Sequence, residues 1–238
     1  MKMCKIYALL LVLFPFFSCT TKIDGSIGEG GRSQLHVDTS LKPRITVLVR
    51  TLAAAGGQQD SLILNGPAIA RSITDSSLDG NVSASFKNTS PSAIDGSLNI
   101  ININRFLYLF SGKAEKFVEF EQGKNGGKCK FYIDISSGPE ILPLISPEIA
   151  AYLNVLMAPI ATGEEMTKAE YLALVSSIFS KAIGDEIASS RIQIAVNFPG
   201  QVTSAAGGKF SGKTAEFDIP LLDILVLETP LTYEVNWK

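Results

Sequence analysis

The stretch GGKFSGKT, residues 207–214, is spelled for two incompatible structures. It fits the phosphate-loop pattern G-x-x-x-x-G-K-[ST], with Gly207, Gly212, Lys213 and Thr214 in the required places. It also fits a glycine-rich β-hairpin. A phosphate loop needs a buried strand running into it and a helix starting at Lys213-Thr214, whose backbone N–H groups hold the phosphates. The flanks supply neither. The strand pattern before it stops near Phe198, and PGQVTSAA intervenes. The AEFDIP that follows alternates like a strand, and Pro220 would break a helix in its second turn. The hairpin reading accounts for more: RIQIAVNF and TAEFDI as arms, with Gly207, Gly208 and Gly212 permitting tight turns. No nucleotide site and no cofactor are expected.

Outward from this hairpin, the chain alternates between strand and helix signals. LTYEVNW puts Leu231, Tyr233, Val235 and Trp237 on one face and Thr232, Glu234 and Asn236 on the other, the signature of a half-covered antiparallel strand. AEKFVEFEQ and KCKFYIDIS flank GKNGG and predict a hairpin. NVSASFKN and SLNIININ predict another, with a bulge at Ile100-Ile101 keeping the apolar residues on one face. SQLHVDTSL reads as a short strand. PRITVLVRTLAAAGG reads as a helix opened by Pro43 and stopped by Gly56, and residues 61–73 as a second, interrupted one. Ser146-Pro147-Glu148 predicts a helix start, with Pro159 as its stop. Thr167–Glu170 fits a capping box, followed by an apolar stripe from Tyr171 to Ile183. The order predicts an α+β fold: a curved antiparallel sheet with a helical hairpin and an N-terminal helix packed on one side.

The N-terminus predicts an address. MKMCK is basic, IYALLLVLFPFF is apolar for 12 residues, and Ser18-Cys19 follows. This is a secretory leader, too short for a spanning helix of about 20 residues. FFSC resembles a bacterial lipoprotein signal, which makes Cys19 the acylated first residue of the mature chain. Residues 1–18 are then the signal peptide, 19–33 a flexible polar tether and 34–238 a single domain. The protein would be held on the exported side of a cell membrane by its N-terminal lipid, with no apolar C-terminal tail to add a second anchor. Lys and Arg number 21 against 23 Asp and Glu, and the leader removes Lys2 and Lys5. This slightly acidic balance argues against nucleic acid as a partner. With Cys4 in the leader and Cys19 acylated, Cys129 is alone and the domain is held by its core.

Phe198-Pro199-Gly200, Val202, Ala205, Gly207, Gly212 and Thr214 resemble the FPG-x-V … G … G-x-T segment of LppM-like bacterial lipoproteins. The resemblance implies a β-hairpin near the end of an α+β, lipid-handling domain behind a lipidated cysteine. The chain departs from that family in having no C-terminal membrane helix. Its overall look, with the loose lipid signal, also resembles uncharacterised spirochaetal lipoproteins.

No catalytic constellation is legible. His36 is the single histidine, with no Cys or His partner for a metal, and no G-x-S-x-G elbow exists. Cys129 between two lysines reads as a small strand residue, and Glu164-Glu165 as a solvated first turn. Asp223 interrupts the run PLLDILVLE and is expected to cap a turn or pair with an arginine. The expectation is a non-enzymatic lipoprotein binding a lipid or other hydrophobic ligand, lined by Leu153, Leu156, Met157, Tyr171 and Phe179. The alternative is an interaction lipoprotein with a solid core.

Overall fold

The computed structural model describes residues 19–55, 63–76, 80–108, 117–140, 153–154 and 156–238. The fold is α+β, and the described residues form two sheets where the sequence predicted one. In chain order the elements are β1 (Cys19–Ile27), β2 (Ser33–Leu41), α1 (Pro43–Ala55), α2 (Gly66–Ser76), β3 (Val82–Ser90), β4 (Ala93–Ile100), α3 (Ile103–Tyr108), β5 (Val118–Gly123) and β6 (Gly126–Ile133). There follow α4 (Pro159–Thr162), α5 (Lys168–Ile178), α6 (Lys181–Ala188), β7 (Arg191–Asn197), β8 (Val202–Ala206), β9 (Lys209–Ser211), β10 (Thr214–Pro220), α7 (Leu221–Val226) and β11 (Leu231–Trp237). The larger sheet has the order β3-β4-β2-β1-β7-β10-β9, the smaller β5-β6-β11-β8.

The largest departure from the sequence reading is at residues 19–33. They form no flexible tether. Residues 19–27 are β1, near the middle of the larger sheet, antiparallel to β2 and parallel to β7. Thr21, Ile23 and Ile27 point into the core. The hydroxyls of Thr21 and Thr39 meet at 2.7 Å across the β1–β2 pair, so two buried polar groups satisfy each other. Tight loop closure follows: Gly28 N–H donates to Arg32 O at 2.7 Å, which returns the chain into β2.

The longer strands of the larger sheet alternate around this axis, while the three residues of β9 are all exposed. Ile23, Val37, Leu98, Phe86, Ile192 and Ala215 are buried on one face. Lys22, Asp24, His36, Asp38, Lys87, Gln193 and Glu216 are exposed on the other. The smaller sheet packs against the apolar face. Phe217 of β10 meets Tyr233 of β11 edge-to-face at 5.4 Å, and Trp237 packs on Phe198 at 4.8 Å and Phe120 at 5.9 Å. Leu231, Val235 and Trp237 are buried, as the alternation of LTYEVNW predicts.

Two local predictions fail for identifiable reasons. No bulge forms at Ile100-Ile101; β4 ends at Ile100 and Ile101 is exposed. Asn102 takes over, its side-chain oxygen accepting from Arg105 N at 2.8 Å to start α3. Asn81 clamps it by accepting from Asn102 N at 3.0 Å. The stripe from Tyr171 to Ile183 is two helices. The capping box of Thr167 and Glu170 starts α5 as expected. Ser180, in extended conformation, then accepts from Ile183 N and starts α6. The paired helices are therefore α5 and α6. The helix expected from Ser146 lies mostly outside the described residues.

Candidate functional site

The glycine-rich stretch that resembles a phosphate loop is a hairpin. β9 and β10 pair through Ser211 and Thr214, with Gly212 at φ +57° in the turn. The helix a phosphate loop requires at Lys213-Thr214 is replaced by β10, which pairs antiparallel with β7 as the expected arms do. Lys213 Nζ donates to Pro199 O at 3.1 Å, so its ammonium closes the loop that starts at Phe198. Between the arms, β8 leaves for the smaller sheet, and Gly207 turns the chain back at φ +77°. A Cβ there would stand 2.7 Å from Tyr233 Cδ1, so the corner requires glycine on both counts.

The five residues expected to line a hydrophobic site are divided. Leu153 (1% exposed), Leu156 (8%) and Tyr171 (0%) are all buried, and Tyr171 Oη donates to Leu156 O at 3.3 Å. Phe179 ends α5 and packs partly buried against the core. Met157 is 44% exposed and holds a left-handed φ of +51°. A side chain lining a void wide enough for an acyl chain keeps surface open to that void; Leu153 and Tyr171 have almost none. Burial drives the Tyr171 phenol well above its ordinary range.

The open spaces lined by described residues include two others. A cleft of about 610 Å³ runs over the outer face of the larger sheet, lined by Lys22, Asp24, Gln193, Glu216 and Asp218, with Gly208 at its rim. Its floor comes from adjacent strands in register: Lys22 opposite Gln193 and Gln193 opposite Asp218. Nearby, Asp95 lies 3.0 Å from His36 Nε2 and 3.2 Å from Lys87 Nζ, so the lone histidine is held against a surface carboxylate. Sequence reading missed Lys22 and Asp24 because it took their strand for a tether. A second crevice, about 420 Å³, is lined by Asp134, Glu165, Met166, Glu170 and Glu228 among others.

Asp134 and Asp223 are structurally employed. Asp134 accepts from Ser136 Oγ at 2.7 Å, Ser137 N at 2.8 Å, Tyr132 Oη at 2.8 Å and Ser137 Oγ at 2.8 Å. These donors, the Ser136 hydroxyl first, hold its carboxyl far below the usual carboxylate range. Asp223, expected to cap a turn or pair with an arginine, lies in the first turn of α7 and pairs with Lys168 Nζ at 2.8 Å. Burial of the Cys129 thiol pushes it up to about 11, so its two lysine neighbours do not activate it. Among the described residues, no three His, Cys, Asp or Glu side chains gather as metal ligands. No described helix is long and apolar enough to cross a membrane.

No family model matches the chain, and no curated protein does. Among solved structures, the chain is similar to the folded domain of Mycobacterium tuberculosis LppM. The match has 10% identity and a TM-score of 0.42, and covers 93% of this chain and 90% of that one. A likeness this faint bears on neither ligand nor activity.

Proposed function

We propose that this chain is a non-enzymatic bacterial lipoprotein, anchored through acylated Cys19, whose closely packed α+β domain presents a surface to an envelope or host partner. The leader supports the anchor: a basic start, 12 apolar residues and Ser18-Cys19. The packing of Leu153 and Tyr171 carries the choice between a solid core and a lipid cavity. Their 1% and 0% exposure favours the solid core. The polar outer face of the larger sheet then offers the surface. Its strands present rows of charged side chains on a rigid frame, which suits recognition by complementary charge.

Native mass spectrometry of the full chain extracted from membranes, followed by solvent extraction, tests this. The expected result is a chain beginning at Cys19, heavier by its acyl groups, with no further lipid. A stoichiometric non-covalent phospholipid or fatty acid, lost on Leu156→Arg with the fold intact, would instead establish the lipid-binding reading.

A further inference from the structure

From the geometry of the β1 start we infer a second membrane contact: the outward face of α1, which docks on an anionic phospholipid surface. The inference rests on the anchored reading above. Cys19 pairs with Leu41 in the β1–β2 ladder, and α1 begins at Pro43, two residues further. Neighbouring strands are about 5 Å apart and residues advance about 3.3 Å, so the start of α1 lies roughly 10 Å from the anchor residue. No stretch of linker separates them, because the residues after Cys19 are consumed by β1. In the sequence, the apolar leader, residues 6–17, stops two positions before Cys19. The membrane therefore lies beside α1 whether Cys19 carries lipid or the leader is retained.

The composition of α1 suits that neighbour. Its sequence, PRITVLVRTLAAA, has no acidic residue. Ile45 and Val49 face the core, while Arg44, Val47, Arg50 and Thr51 face outward. Val47 is 62% exposed, an apolar residue with the exposed Arg44 and Arg50 three positions before and after it on the helix. Neither Arg44 nor Arg50 is in an ion pair among the described residues. The nearest acid of α6, Glu186, is committed to the helix start, accepting from Arg44 N at 3.0 Å and Ile45 N at 3.0 Å. Lys42 adds a third cation, its Nζ on Ser189 Oγ at 2.7 Å. Asp185 of α6 is matched by Lys181 at 2.8 Å, and Asp218 of β10 stands 3.8 Å from Arg191. A cationic helix face with an apolar centre binds the interface of an anionic bilayer, and pairs with a lipid anchor as the second of two attachment signals.

The test uses the full chain reconstituted in vesicles. A polarity-sensitive dye is placed on Val47→Cys, with Ser85→Cys on the polar face as the control, in phosphatidylcholine alone and with phosphatidylglycerol added. The expected result is a blue shift at position 47 that appears with phosphatidylglycerol, is absent at position 85 and is lost in Arg44→Gln/Arg50→Gln. Flotation of the vesicles separates the two readings. A chain that floats while position 47 stays water-like keeps the anchor and overturns the docking face. A shift of equal size without phosphatidylglycerol overturns the role of the arginines. A chain that fails to float on either vesicle overturns both.

Discussion

Cys19 stands opposite Leu41 in the antiparallel ladder of β1 and β2, so the residue that would carry the lipid is already part of the sheet. The consequence is a domain seated at its anchor, with no free length between. Ile23, four residues on, is a core residue. Ile23→Ala is expected to cost about 2–5 kcal/mol, the range for removing a buried isoleucine side chain. Urea unfolding of the variant measures it. A residue in a flexible tether would give no change.

Thiol counting tests the lipid and the core together. Cys129 is half-buried in β6 with its thiol pushed to about 11, so native protein at pH 8 should react slowly with a disulfide reagent. Unfolding should then release one thiol in the mature chain, because Cys19 is blocked. Two thiols on unfolding would mean that Cys19 is free. Fast reaction of Cys129 in the native state would contradict its burial.

Asp134 sets an acid dependence with a defined sign. Its carboxyl is held below its ordinary 3.8 by the Ser136, Ser137 and Tyr132 donors. A depressed folded-state value means that the ionised form stabilises the fold above about pH 4, and that this contribution is lost as pH falls through the lower range. Asp134→Asn is expected to be less stable than the parent at pH 7. The gap should narrow as the pH is lowered below 4. Thermal unfolding from pH 7 to pH 2 reads both; a constant gap would contradict it.

The hairpin at residues 209–214 should ignore nucleotides. Magnesium-ATP is expected to leave the melting temperature unchanged, and Lys213→Ala to alter stability only slightly, since its ammonium meets a carbonyl at the surface. Gly212→Ala should cost about 1 kcal/mol, because φ +57° strains a residue with a Cβ. A nucleotide-dependent rise in melting temperature that Lys213→Ala abolishes would restore the phosphate loop.

Much of the fold was legible because its signals are local. LTYEVNW carries its own period, GKNGG its own turn, and Thr167–Glu170 its own cap. β1 was not, because its inward positions, Thr21, Ile23, Gly25 and Ile27, include a hydroxyl and a glycine, which weaken the apolar alternation. Its partner β7 is some 170 residues away, and a parallel pairing at that distance leaves no trace in either segment. The Ser180 break in the helical stripe was hidden because the apolar spacing continues across it. The candidate site was less legible. Spacing chose Leu153, Leu156 and Tyr171 as apolar and inward, but it cannot separate a wall around a void from a filled core. The polar cleft became visible only once Lys22 and Asp24 were placed on a central strand.

The most direct measurement is amide hydrogen exchange of the full chain in vesicles, followed over the residues of β1. Backbone N–H groups of Thr21 to Ser26 that exchange as slowly as those of β7 are predicted, since both strands lie inside the same sheet. Exchange within seconds, as in a solvated linker, would contradict the account and return these residues to the role of a tether.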